Sequence, residues 1–143
     1  MDGTLIDQLR AAAQKILDHE RILVAYAHGS RISGTPRPDS DLDVGYFVRR
    51  GARGKEISLK EELGWGVRLT DALGVEVDLR SMERAPLDVK GRTLVYGVRV
   101  FSSNEEERVD FERDTLGDYF DYKDVYEKMR GDRLKAMAGK VID

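Results

Sequence analysis

The 143-residue chain contains no cysteine. That excludes a disulfide framework and thiolate metal ligation, and it makes a reducing cytoplasm the expected setting. Histidine is scarce: His19 and His28 are the only two, and their spacing does not assemble a zinc site. Net positive charge is missing as well. A formal charge of −3 and an isoelectric point near 5.5 argue against a grip on nucleic acid through bulk charge. No long apolar run occurs; the longest, Ile22 to Ala27, is far too short to span a bilayer. No signal peptide precedes it, so no membrane association is expected. Repeats, low-complexity tracts and linkers are absent, and prolines number only three.

What remains is 41% hydrophobic and 36% charged. Those fractions and the length predict one globular domain with a real core and a heavily charged surface. Leu5, Leu9, Ala12 and Ile16, with Ile6, Ala13 and Leu17, recur at helical spacing, so an N-terminal helix is predicted over 3–19. The apolar run RILVAYA reads as a buried strand. GSRISGTPRPDS is rich in turn formers, and Pro36 and Pro38 forbid a long helix there. DLDVGYFV alternates: Leu42, Val44, Tyr46 and Val48 face one way, Asp41, Asp43, Gly45 and Phe47 the other. A basic loop follows, then a helix over 57–73 closed by Gly74 as its C-cap glycine. VEVDLR alternates again, with Glu76, Asp78 and Arg80 opposite Val75, Val77 and Leu79. A short helix is predicted from about Pro86, and GVRVF is a fourth strand. Ser103 and Glu106 form a capping-box pattern opening a C-terminal helix over 104–130. The whole is an α/β (α+β) arrangement: a small mixed sheet of about four strands flanked by helices, with its core over 21–101.

Two places carry chemistry. Asp41 and Asp43 share a strand face with Cα atoms roughly 6.5–7 Å apart. Carboxylates held so repel unless a cation lies between them, and oxygen-only ligands suit Mg²⁺. The pair alone is weak evidence, because a chain with 16 Asp holds about two D-x-D pairs by chance. Gly29-Ser30 adds to it. A strand-ending glycine lets backbone approach a ligand, and a serine hydroxyl beside free N–H groups at a helix start suits phosphate. Alone, this is equally an ordinary turn with Ser30 as N-cap. The combined pattern G-S-x10-D-x-D arises by chance in roughly one such chain in a hundred.

GSRISGTPRPDSDLDVGYF resembles the signature of the DNA polymerase β-like nucleotidyltransferase superfamily. More narrowly, it resembles the minimal nucleotidyltransferases, the MntA-type antitoxins paired with HEPN-domain toxins. The resemblance is tight over Gly29 to Phe47 and looser toward the termini. It implies the nucleotidyltransferase fold, with Gly29 and Ser30 holding a nucleoside triphosphate. It also implies two Mg²⁺ ions held by Asp41, Asp43 and a third carboxylate. Asp78 in VEVDLR fits the family's hydrophobic-Asp-Leu pattern, and Glu76 projects to the same side. Arg31 and Ser40 are further candidates for nucleotide contact, each with a plain reading as a surface arginine and a turn serine. His28 abuts the Gly-Ser turn, where a structural role is the alternative. GARGKE lacks the spacing of a P-loop. Tyr119, Phe120, Tyr122 and Tyr126 at helical spacing read as packing, with an exposed edge as the alternative.

The implied activity is transfer of AMP from ATP to a tyrosine of a cognate HEPN ribonuclease toxin, without direct nucleic-acid binding. Two alternatives stand beside it: a non-catalytic antitoxin that acts by binding, and a nucleotidyltransferase acting on a small-molecule hydroxyl.

Overall fold

The computed structural model describes residues 3–29, 41–52 and 56–142. Ser30, Arg31, Ser40, the two loop prolines and residues 53–55 of the basic loop lie outside them. Along the chain run α1 (Gly3–Ile16), β1 (Ile22–His28), β2 (Leu42–Val48), a 3-10 turn (Arg50–Ala52) and α2 (Leu59–Leu73). After these come β3 (Val77–Ser81), α3 (Leu87–Tyr96), β4 (Val98–Ser102) and α4 (Glu105–Ile142).

The strands form one sheet in the order β3-β2-β1-β4. β1 is antiparallel to β2 and β4, while β2 is parallel to β3. The end of β1 and the starts of β2, β3 and β4 therefore meet at one edge of the sheet. Both faces are covered, which is why Ile22 to Ala27 are apolar throughout. Ile22, Ala25 and Ala27 join Val44, Tyr46 and Leu79 in a core shared with α1 and Leu69 of α2. Leu23, Val24, Tyr26 and Phe47 form a second core against Val89 and Leu94 of α3 and Phe111 of α4. The alternation read in β2 thus divides its side chains between two cores.

Several boundaries move for identifiable reasons. α1 ends at Ile16 rather than 19 because Asp18 turns the chain, accepting from Glu20 N at 2.8 Å and from Arg21 Nε at 2.6 Å. α2 starts at Leu59, not 57, because Ser58 is a true N-cap: it accepts from Glu61 N while Glu61 reaches back to Ser58 N. Gly74 closes the helix in the left-handed region, φ 73°, and donates to Thr70 O. The capping box expected at Ser103 and Glu106 is absent. Ser103 Oγ instead donates to Ile22 O at 2.6 Å, and Asn104 caps α4 by accepting from Glu107 N at 2.9 Å. α4 runs to Ile142, well past 130. Gly131 costs a helix interior about 1 kcal/mol, which the Arg, Leu, Lys, Ala and Met residues around it offset.

The aromatic cluster on α4 does not pack as one. Tyr119 is buried, its ring lying where a side chain on Gly91 of α3 would be. Phe120, Tyr122 and Tyr126 are exposed, because α4 outruns the sheet beneath it.

Two polar clamps fix these elements. On the edge strand β3, Val77 N donates to Thr70 Oγ1 and Ser81 N to Glu62 Oε1. This caps donors that an exposed edge would offer to another chain. At the base of α4, Glu112 accepts from the Tyr26 hydroxyl at 2.6 Å and from Arg99 Nη2 at 2.9 Å, and it pairs with Arg108. Glu112→Ala strands the Arg99 guanidinium and the Tyr26 phenol, while Arg108 keeps Glu105, so chemical denaturation should register a loss of about 3 kcal/mol.

A third ion pair carries a pH signature. Arg21, hydrogen-bonded to Glu61, holds that carboxyl down to about 2 from 4.5. A depressed folded-state value stabilises the fold above the unfolded value and fades as pH falls toward the folded one. Wild-type protein should therefore resist urea better than Glu61→Gln at neutral pH. The difference should shrink below about pH 4.5 and vanish near pH 2.

Candidate functional site

The strand edge brings together several of the residues singled out in the sequence. Asp43 stands directly opposite His28 of β1 and directly opposite Asp78 of β3. Cross-strand partners share a face, so His28, Asp43 and Asp78 form a row across three strands. Asp41 lies just before β2, exposed. Glu76 sits before β3, exposed, with its carbonyl accepting from Leu42 N. The register therefore puts Asp78, not Glu76, beside Asp43.

Gly29 closes over this row. Its φ is +92°, and a Cβ built there would lie 2.3 Å from Asp43 Oδ2. Only glycine combines that backbone with that approach. Gly29 and the second aspartate of D-x-D are thus one packed unit, although the two motifs lie far apart in sequence.

The electrostatics follow from crowding. Burial raises the proton affinity of Asp43, and the charges of Asp78 and Asp41 raise it further against the opposing influence of His28 and Arg80. Burial lowers that of His28, with Asp43 and Asp78 acting the other way. Arg80 partly relieves the excess negative charge, its Nε lying 3.1 Å from both oxygens of Asp78. Among the described residues, no three acidic, histidine or cysteine side chains already converge on one point as a metal centre would. The donor set nonetheless fits a hard divalent cation: three carboxylates at one strand edge, one buried enough that its neighbours' charges raise its proton affinity.

Clefts flank the row on both sides. Toward β4, a cleft of about 290 Å³ is lined by His28, Gly29, Arg92 and Tyr96, among others. Toward β3, one of about 490 Å³ is lined by Asp41, Glu62, Glu76 and Asp78, with Leu63 and Val67 of α2. Arg92, Tyr96, Glu62 and Leu63 escape sequence reasoning because they belong to no local motif; only the sheet order brings their helices to this edge. His28 is half-buried in the row itself, closer to the carboxylates than a structural reading implies. Among the described residues, no helix is long and apolar enough to cross a membrane.

Comparison with known proteins agrees with this architecture. Among curated proteins no significant sequence match is found. A crystal structure of a toxin-antitoxin with AMP-PNP superposes with a TM-score of 0.62 at 16% identity, covering 90% of this chain and 98% of that one. A tri-AMPylated Shewanella oneidensis HEPN toxin in complex with MNT antitoxin gives 0.59 at 13% identity, covering 94% and 99%. A structure described as a minimal nucleotidyltransferase gives 0.53 at 26% identity, covering 68% of this chain and 95% of its own. The family described as polymerase beta, nucleotidyltransferase, matches residues 12–106. With that match over more than half its length, and with the fold to go with it, the chain belongs to the polymerase β nucleotidyltransferase family.

Proposed function

We propose that the chain transfers AMP from ATP to a tyrosine hydroxyl of a HEPN ribonuclease toxin, and silences the toxin by doing so. The observation that carries this reading is the row of His28, Asp43 and Asp78 with Gly29 closed over Asp43. It is a carboxylate site built around a turn that suits phosphate. Support for the partner comes from the solved toxin-antitoxin complexes that share the fold, one with AMP-PNP and one with an AMPylated toxin.

In this reading Gly29 and Ser30 position the triphosphate, with Arg31 and Ser40 as further candidates for nucleotide contact. Asp41, Asp43 and Asp78 would hold Mg²⁺, which when bound supplies charge neutralisation at the phosphate oxygens. The acceptor oxygen forms a bond to the α-phosphorus, and the bond from that phosphorus to the β,γ-diphosphate oxygen breaks. Pyrophosphate leaves, and the hydroxyl proton passes to Asp78. Glu76 is the alternative acceptor of that proton.

One observation favours the binding-only alternative: Arg80 already pairs with Asp78. The pair is exposed, however, and exposed pairs contribute about 1 kcal/mol or less, so a divalent cation displaces it readily. Mass analysis of a HEPN toxin incubated with the protein, ATP and Mg²⁺ tests the reading. An AMP adduct on tyrosine is the expected result. A toxin neutralised equally well, without adduct, by wild-type protein and by Asp41→Asn/Asp43→Asn would establish binding alone.

A further inference from the structure

The two clefts beside the carboxylate row differ in charge. The one toward β4 has His28 and Arg92 in its wall and no carboxylate among its described residues. The one toward β3 has Asp41, Glu62, Glu76 and Asp78, with Arg80 as the sole cation among its described residues. A nucleoside triphosphate, carrying about four negative charges, goes to the first in the transfer reading, because Gly29 lines that cleft and no carboxylate among its described residues opposes it. In-line displacement places the incoming hydroxyl across the α-phosphorus from the leaving pyrophosphate. With the triphosphate on the β4 side, the acceptor arrives from the β3 side.

An independent feature points to what arrives. Leu59, Leu63 and Val67 of α2 are 69%, 59% and 59% exposed. They stand at i, i+4 and i+8, on one helix face. Leu63 and Val67 also line the acidic cleft, so the apolar stripe runs into it. A stripe of this kind marks a surface for another polypeptide, and a small-molecule acceptor has no use for it. Even with Asp41 and Asp78 given to Mg²⁺, Glu62 and Glu76 outnumber Arg80 at its inner end, which favours a basic partner.

We propose that the cleft between α2 and β3 docks the acceptor as an apolar protein segment with lysine or arginine beside the residue that receives the nucleotide. This rests on the transfer reading above and names the chemistry of its second substrate.

The test uses the full chain and two fluorescent tyrosine peptides of equal leucine content, one flanked by Lys and Arg, the other by Asp and Glu. Anisotropy should show the basic peptide binding at least about ten-fold more tightly, with the preference lost in high salt. Leu63→Ser/Val67→Ser, both exposed and so compatible with folding, should weaken the basic peptide about ten-fold while leaving AMP-PNP affinity unchanged. Equal binding of the two peptides, or binding indifferent to the double substitution, would overturn the proposal. So would self-association of the chain that the double substitution abolishes. Transfer to a toxin that persists in Leu63→Ser/Val67→Ser with unchanged KM removes the docking site and leaves the transfer reading intact. Selective docking without any transfer that depends on Asp43 does the reverse.

Discussion

Asp43→Asn is expected to abolish nucleotidyl transfer, lowering kcat by about 10³-fold or more, while leaving the fold as stable as before or slightly more so. The position of Asp43 in its row is the reason. It lies opposite Asp78 and His28, and its carboxylate touches the space over Gly29. Asparagine keeps the shape under Gly29, so the turn stays in place. It removes the charge that burial and two neighbouring carboxylates make costly, so thermal stability should not fall. Turnover and melting temperature measured on one preparation check both halves. Lost activity with a lost fold would instead make Asp43 a structural residue.

Gly29→Ala should be nearly as damaging to activity and, unlike the first variant, damaging to stability. An L-residue at φ +92° is strained by about 1–2 kcal/mol. The new methyl would also lie 2.3 Å from Asp43 Oδ2 and 3.3 Å from Asp43 Cγ. The carboxylate must swing out of the row, and a displaced catalytic group costs about 100-fold in rate. We expect a stability loss of about 2 kcal/mol together with that loss of rate. The double variant Gly29→Ala/Asp43→Ala separates the causes. Truncating Asp43 clears the space, so the steric part of the cost should disappear and the two substitutions should couple rather than add. Strict additivity in denaturation would mean that Gly29 does not press on Asp43.

These two residues also show how much was legible in the sequence. The strand alternation and the Gly74 cap are local, and the fold bears them out; the spacing from Gly29 to Asp43 is read from the sequence alone. The contact between those two residues is not local. It follows from the register of β1 against β2, which places the turn glycine on the aspartate. The choice between Asp78 and Glu76 is likewise invisible to alternation, since both project the same way, and the pairing of β2 with β3 settles which of them neighbours Asp43. Asn104 displaced Ser103 as the α4 cap because the Ser103 hydroxyl found Ile22 O, a partner 81 residues away. The tyrosines of α4 read as core because their spacing is helical. Only Tyr119 is buried, against the open face of Gly91, while Tyr122 and Tyr126 stack on each other at 6.0 Å and stay exposed.

The central claim is that these carboxylates serve nucleotidyl transfer. Parallel incubations with α-labelled and γ-labelled ATP, each with Mg²⁺ and a HEPN toxin, test it most directly. The account expects the α-label on the toxin, the γ-label in released pyrophosphate, and neither event with Asp43→Asn. A γ-label on the toxin, or a neutralised toxin carrying no label, would contradict it.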